Sequence, residues 1–202
     1  GVGWLCEQGR IRSSRTDYVI IPEPLNVDRI CVGHRGVYWF EVTTHGRIAH
    51  GSMPFLGSNA IDHMARVIDA FYRALWPKLE GRITEMPVVP EMARRPTINV
   101  NAIRGGQPME AVQTPCVADR CQAVFDRRFL IEEGFERTRE EIGAILEQLS
   151  ATIPDMSYEL KDLMVVHPVQ TPEDSPLIET LDHAIEEILG RPATLVASPG
   201  TY

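Results

Sequence analysis

The chain has 202 residues, 44% of them hydrophobic, and a formal net charge of −8. That length can bury a sizeable core and allows one large domain or two small ones. The acidic balance argues against a nucleic-acid-binding surface, which needs clustered Lys and Arg, and no apolar run approaches the roughly 20 residues of a membrane span.

In chain order, Gly1–Gly9 reads as the last turns of a helix already under way, with no initiator Met and no signal peptide before the first strand. The other end, Ala197-Ser-Pro-Gly-Thr-Tyr202, stops just past an expected strand, so the sequence reads as an internal fragment whose functional partners lie on both sides. Cys6, Cys31, Cys116 and Cys121 form no CxxC pair and lack the density of a secreted disulfide scaffold, which makes a reduced, cytoplasmic protein the expectation.

Asp17–Pro22 is a short apolar run without alternation, as in a strand covered on both faces in a parallel sheet, and Glu23-Pro24 stands at its carboxyl end, where open α/β sheets place ligands. From Val37 to His45 the pattern alternates, Tyr38, Phe40 and Val42 against Trp39, Glu41 and Thr43, which predicts a sheet with unlike faces. A Gly- and Pro-containing loop follows. Ile61, Met64, Val67, Ile68, Phe71 and Leu75 then repeat at helical spacing up to Pro77, read as the terminator. Strands are expected over Ile98–Ala102, Arg120–Phe129 and Tyr158–Val166, with a helix from Phe135 to Leu149 between the last two. Ser175 as N-cap, Pro176 at the first helical position and Gly190 as terminator frame a final helix, and Thr194–Ala197 reads as a short strand.

The order β-α-β-β-α-β is the split βαβ, ferredoxin-like sandwich. The expected fold class is therefore α/β: residues 37–167 as an inserted sandwich, with 1–36 and 168–202 as two parts of an interrupted α/β domain.

Four stretches carry a family resemblance: Val19-Ile-Ile-Pro-Glu-Pro24; Gly46-Arg-Ile-Ala-His-Gly-Ser-Met-Pro54 with Gly57-Ser-Asn-Ala-Ile61; Thr97-Ile-Asn-Val100 with Gly105-Gly106; and Asp126-Arg-Arg128. The second is the most specific, a G-x-x-A-H-x-x-x-P loop leading into an x-N-A-I helix start. Together they resemble the zinc-dependent amidohydrolases and metallopeptidases, the family of acetylornithine deacetylase, succinyl-diaminopimelate desuccinylase, aminoacylase and glutamate carboxypeptidase, over essentially the whole chain.

The resemblance implies a catalytic α/β domain interrupted by a lid and dimerisation domain, and hydrolysis of the amide bond of a small N-acyl amino acid with a free carboxylate. It implies two Zn2+ ions, with Co2+ or Mn2+ as substitutes, about 3.5–4 Å apart. Glu23, otherwise an ordinary turn carboxylate, becomes a ligand of one of them. The remaining ligands and the general base fall outside this sequence, and His34, His63, His167 and His183 stand in no matching context. His50, otherwise a polar loop residue, becomes the histidine that enters the partner subunit's site in a homodimer and hydrogen-bonds the developing oxyanion. Arg128 shares a sheet face with Asp126 and reads either as a strand ion pair or, by resemblance, as a clamp on the substrate carboxylate; Arg127 points the other way.

One departure is plain. After Gly105-Gly106 the chain runs through a longer Gln107–Ala118 segment, with Pro115 where the family's substrate-contacting Asn stands and Ala118 in place of a Pro. Two other readings stay open: a non-enzymatic ferredoxin-like module for dimerisation or small-ligand binding, and, among enzymes, a dipeptidase or carboxypeptidase.

Overall fold

The computed structural model describes residues 2–22, 26–107 and 115–200. Helix α1 (Val2–Glu7) precedes strands β1 (Arg29–His34) and β2 (Gly36–His45). Helix α2 (Ala60–Ala70) continues through a π turn, Phe71–Leu75, into α3 (Trp76–Glu80). Strands β3 (Thr97–Gly105) and β4 (Arg120–Phe129), helix α4 (Phe135–Thr152), strands β5 (Ser157–Val166) and β6 (Val169–Gln170), helix α5 (Pro176–Leu189) and strand β7 (Thr194–Ser198) complete the order.

The chain divides into two compact units, one running to Cys31 and resuming over Thr171–Leu195, the other covering Val32–Gln170 and the residues from Val196. The larger unit holds a four-stranded antiparallel sheet in the order β3-β4-β2-β5, the split βαβ topology. Period-2 alternation fixes its faces: Tyr38, Phe40 and Val42 of β2 and Cys121, Ala123, Phe125 and Phe129 of β4 are buried with Met64, Val67, Phe71, Ile142 and Leu146 from the helices. Phe40 stacks on Phe125 at 5.0 Å and Phe71 meets Phe125 edge-on at 5.2 Å. Each such ring contributes about 1.5–3 kcal/mol on burial. The opposite face carries Trp39, Glu41, Gln122, Asp126 and Arg128, half-buried or exposed.

Three sequence expectations need correction. Pro77 does not end the first helix: the π turn just before it widens the backbone, and Pro77 enters α3 within its first two positions, where no N–H is required. Asp17–Pro22 is not a strand. Among the described residues it has no ladder partner, since β1 is flanked by β6 and β7, and Val19, Ile20 and Ile21 stay exposed. An apolar run without a hydrogen-bonding neighbour has nothing to satisfy a strand's backbone. Conversely, β1 forms between Glu23-Pro24 and Val37, where the sequence pattern predicts no strand; its Arg-Ile-Cys-Val-Gly-His composition carries too little alternation to stand out.

In the smaller unit, Ser175 caps α5 by accepting from the Ile178 amide, and Gly190 closes it in the left-handed region at φ 71°. The apolar stripe of α5 (Leu177, Ile178, Leu181, Ile185) lines a cavity of about 250 Å³ with Val19–Pro22 and Ile30.

Candidate active-site elements

Strand β4 sets three consecutive charged residues on alternate sides of the sheet. Arg127 points to the helix side and is fully buried; its Nη2 donates to Glu133 at 2.6 Å and its Nη1 to the Arg128 carbonyl. Glu133 also accepts from Arg82 at 2.6 Å and from the Leu130 amide at 2.7 Å, and Arg82 reaches Glu141 at 2.9 Å. Burial pulls the Arg127 guanidinium below its usual pKa, with the Glu133 charge opposing the fall.

Asp126 and Arg128 share the other face as a bidentate pair, Nε to Oδ1 at 2.7 Å and Nη2 to Oδ2 at 2.9 Å. That pairing uses two of the five guanidinium N–H bonds. Both hydrogens of Nη1 and one of Nη2 remain, an end-on fork that matches a carboxylate. Nη1 faces Gly200, 4.0 Å from where a Cβ on that glycine would sit.

Beside this pair lies a residue that no sequence pattern marks. Arg35, only 7% exposed, donates through Nε and Nη2 to the Pro199 carbonyl at 3.1 and 2.9 Å and through Nη1 to the Arg95 carbonyl at 2.7 Å. Burial lowers its pKa to about 10, with Arg128 adding to the fall and Asp126 opposing it. It ties the Ser198–Gly200 turn to the strand region that bears Arg128. A single Arg before a Gly carries no signal from which this could be read.

The loop between β2 and α2 carries His50. Its base closes where Arg47 and Ser58 exchange backbone hydrogen bonds at 2.8 and 2.9 Å, and a Cβ on Gly46 would collide with the Ser58 carbonyl. A second seam holds the loop to the chain after residue 114: the Gly51 amide donates to Pro115 at 2.6 Å and the Val117 amide to Ala49 at 2.8 Å, with His50 bridging Cys116. Pro115, at the position where the resemblance implies a substrate-binding Asn, thus serves as backbone partner to the histidine's loop; residues 108–114 of that departure lie outside the described residues.

His50 itself is exposed. Its Nδ1 accepts from the Ser52 backbone amide at 3.2 Å and lies 2.8 Å from the Ser52 hydroxyl. A backbone amide can only donate, so Nδ1 is the acceptor and the neutral ring carries its proton on Nε2. The loop therefore presents an outward Nε2–H donor.

Glu23 lies outside the described residues. Among the described residues no group of three or more His, Cys, Asp or Glu is placed to hold a metal ion. His45 pairs with Glu159 at 3.1 Å, His34 Nδ1 lies 3.0 Å from the Arg35 carbonyl, and His167 packs edge-on against Phe135. His50 and Arg128 belong to separate clusters: the side chain of the first pairs with Ser52, and that of the second with Asp126. No helix among the described residues is long and apolar enough to cross a membrane.

The whole chain resembles known proteins. Over 194 residues, 94% of this chain and 46% of the relative, it is 25% identical to a succinyl-diaminopimelate desuccinylase of Marinobacter nauticus. It superposes on an aminopeptidase of Bacillus cereus with a TM-score of 0.70 at 19% identity, covering 98% of this chain and 48% of the other. On human carnosine dipeptidase 1 the TM-score is 0.71 at 15% identity, covering 99% and 51%. The chain spans about half the length of the curated relatives it matches. Residues 32–153, which include the His50 loop, the Asp126–Arg128 pair and most of the sandwich, match the peptidase dimerisation domain, and the chain belongs to that family, the dimerisation domain of the M20 peptidases.

Proposed function

We propose that this chain is part of a metal-dependent amidohydrolase that cleaves the amide bond of a small N-acyl amino acid carrying a free carboxylate. Family membership over residues 32–153 is the observation that carries the reading, and the match to a desuccinylase supports the deacylase side of it. On this reading residues 37–167 are the lid and dimerisation domain, and 1–36 with 168–202 are parts of the catalytic domain. The protein works as a cytoplasmic homodimer.

The family implies divalent metal ions, and we assign zinc, with Glu23 as one ligand. When bound, such a pair polarises the scissile carbonyl and lowers the pKa of water.

This chain's own residues then act in three places. Arg128 takes the substrate carboxylate on its end-on fork, oriented by Asp126 through the opposite edge. Arg35 keeps the Pro199–Gly200 backbone beside that fork. His50 offers Nε2–H to the carbonyl oxygen as negative charge develops there, from one subunit into its partner's site; one well-placed donor of this kind contributes about 3–4 kcal/mol.

A second reading, a dipeptidase or carboxypeptidase, is supported by the dipeptidase among the structural neighbours and by a probable carboxypeptidase of Aspergillus clavatus that is 30% identical over 116 residues. The Arg128 fork suits a free carboxylate in either case. The test is a panel of N-acyl amino acids, dipeptides and their C-terminal amides offered to the full-length protein, with and without a chelator. Hydrolysis of the N-acyl amino acids, abolished by chelation and restored by zinc, is expected. Hydrolysis of dipeptides alone would move the assignment to the peptidases, and no metal-dependent hydrolysis of any member would overturn it.

A further inference from the structure

His63 sits in the first turns of α2, only 5% exposed, and it faces both ends of the loop that carries His50. Its Nδ1 lies 2.9 Å from the His45 carbonyl, the last residue before the loop, and its Nε2 lies 3.0 Å from the hydroxyl of Ser58, at the loop's far end. A carbonyl can only accept, so Nδ1 carries the proton and Nε2 receives the Ser58 O–H. The ring thus has the tautomer opposite to that of His50, and both of its nitrogens are used within the fold.

The surrounding bonds all converge on this joint. The Gly46 amide donates to Asp119 at 2.8 Å, the Ala60 amide to Ala118 at 2.8 Å, and Thr44 Oγ1 to Ala60 at 2.8 Å. Those bonds hold the chain on either side of the loop. Arg47 Nε also donates to the Leu56 carbonyl at 3.2 Å within the loop, and the His63 side chain joins His45 and Ser58, the residues at its two ends, through one ring.

We propose that His63 is a positioning residue for the reaction. By donating to His45 and accepting from Ser58 it fixes the entry and exit of the 46–58 loop, and so the place at which the exposed Nε2–H of His50 is delivered. The inference rests on the reading of His50 as an oxyanion donor. A donor held out on a loop acts only if its hydrogen lies where charge develops, and a misplacement of about 1 Å can cost about a hundredfold in rate.

The experiment is a double-mutant cycle in the full-length, metal-loaded enzyme, with His63→Ala, His63→Asn, Ser58→Ala and His50→Ala. His63→Ala should lower kcat about ten- to hundredfold with KM nearly unchanged, because the His50 hydrogen bond it weakens forms only in the transition state. Asn can keep a donor toward His45 and should retain part of the rate, and Ser58→Ala, which removes one bond of the pair, should lose less than His63→Ala. In the His50→Ala background every one of these losses should vanish, since there is no longer a donor to misplace. Losses that persist undiminished in that background would overturn the proposal and make His63 merely structural. Full kcat in His63→Ala, with His50→Ala impaired, would overturn it too. Unimpaired His50→Ala would instead sink the reading of His50 and the proposal with it. Should His63→Ala fail to fold, the Asn and Ser58→Ala variants carry the same cycle.

Discussion

Asp126, Arg127 and Arg128 are neighbours in the chain, yet they belong to two different regions of the molecule. Arg127 lies under the helices, fully buried, in a network with Glu133, Arg82 and Glu141. Asp126 and Arg128 lie on the uncovered face, 17% and 23% exposed, with a fork still open. The strand's period of two is the whole difference: one register step separates a charge that holds the scaffold from a charge available to a ligand. A buried charge is useful to the fold only while every partner stays in place, whereas the partly exposed pair retains hydrogen-bonding capacity that water, or a carboxylate, can use.

That contrast can be broken by changing one side at a time. The largest effect is expected under the helices. Glu133→Ala leaves Arg127 buried and uncompensated and should cost about 3–5 kcal/mol of stability, read by denaturant unfolding with an unchanged m-value. A loss below about 1 kcal/mol, the range of surface pairs, would show that the two faces do not differ as described.

A smaller and different effect is expected on the open face. Arg128→Lys keeps the charge but removes the planar fork, and should cost about 1.5–3 kcal/mol in kcat/KM on substrates with a free carboxylate. C-terminal amides should be little affected and the unfolding midpoint should barely move. Equal losses on both substrate types would return Arg128 to the role of a strand ion pair.

Much of the sandwich is legible in the sequence because its pattern is local. Alternation over Tyr38–Val42 and helical spacing over Met64–Leu75 each report a face that the fold then covers, whereas Ile61, at the start of the same spacing, stays 40% exposed. The opposite directions of Arg127 and Arg128 follow from the same rule. Asp17–Pro22 misleads because an apolar run states a preference for burial without naming the strand beside it. Pro77 misleads because the π turn that accommodates it leaves no mark in composition. At the candidate site, the sequence singles out His50 and Arg128 through motifs, and their roles remain those proposed above. Arg35 and His63 escape a sequence reading because they bind backbone carbonyls and a hydroxyl brought to them by folding, and no spacing rule announces such partners.

In the proposed reaction His50, presented outward with its proton on Nε2, serves the partner's site. Complementation between full-length subunits tests it most directly. His50→Ala and Glu23→Ala proteins, each nearly inactive alone, are mixed under conditions of verified subunit exchange. One heterodimer site then combines the intact Glu23 of one subunit with the intact His50 of the other. Each heterodimer is expected to recover about half the activity of a wild-type dimer, because one of its sites is complete. Exchange without recovery would place His50 in its own subunit's site or outside the chemistry, and would overturn its role in trans.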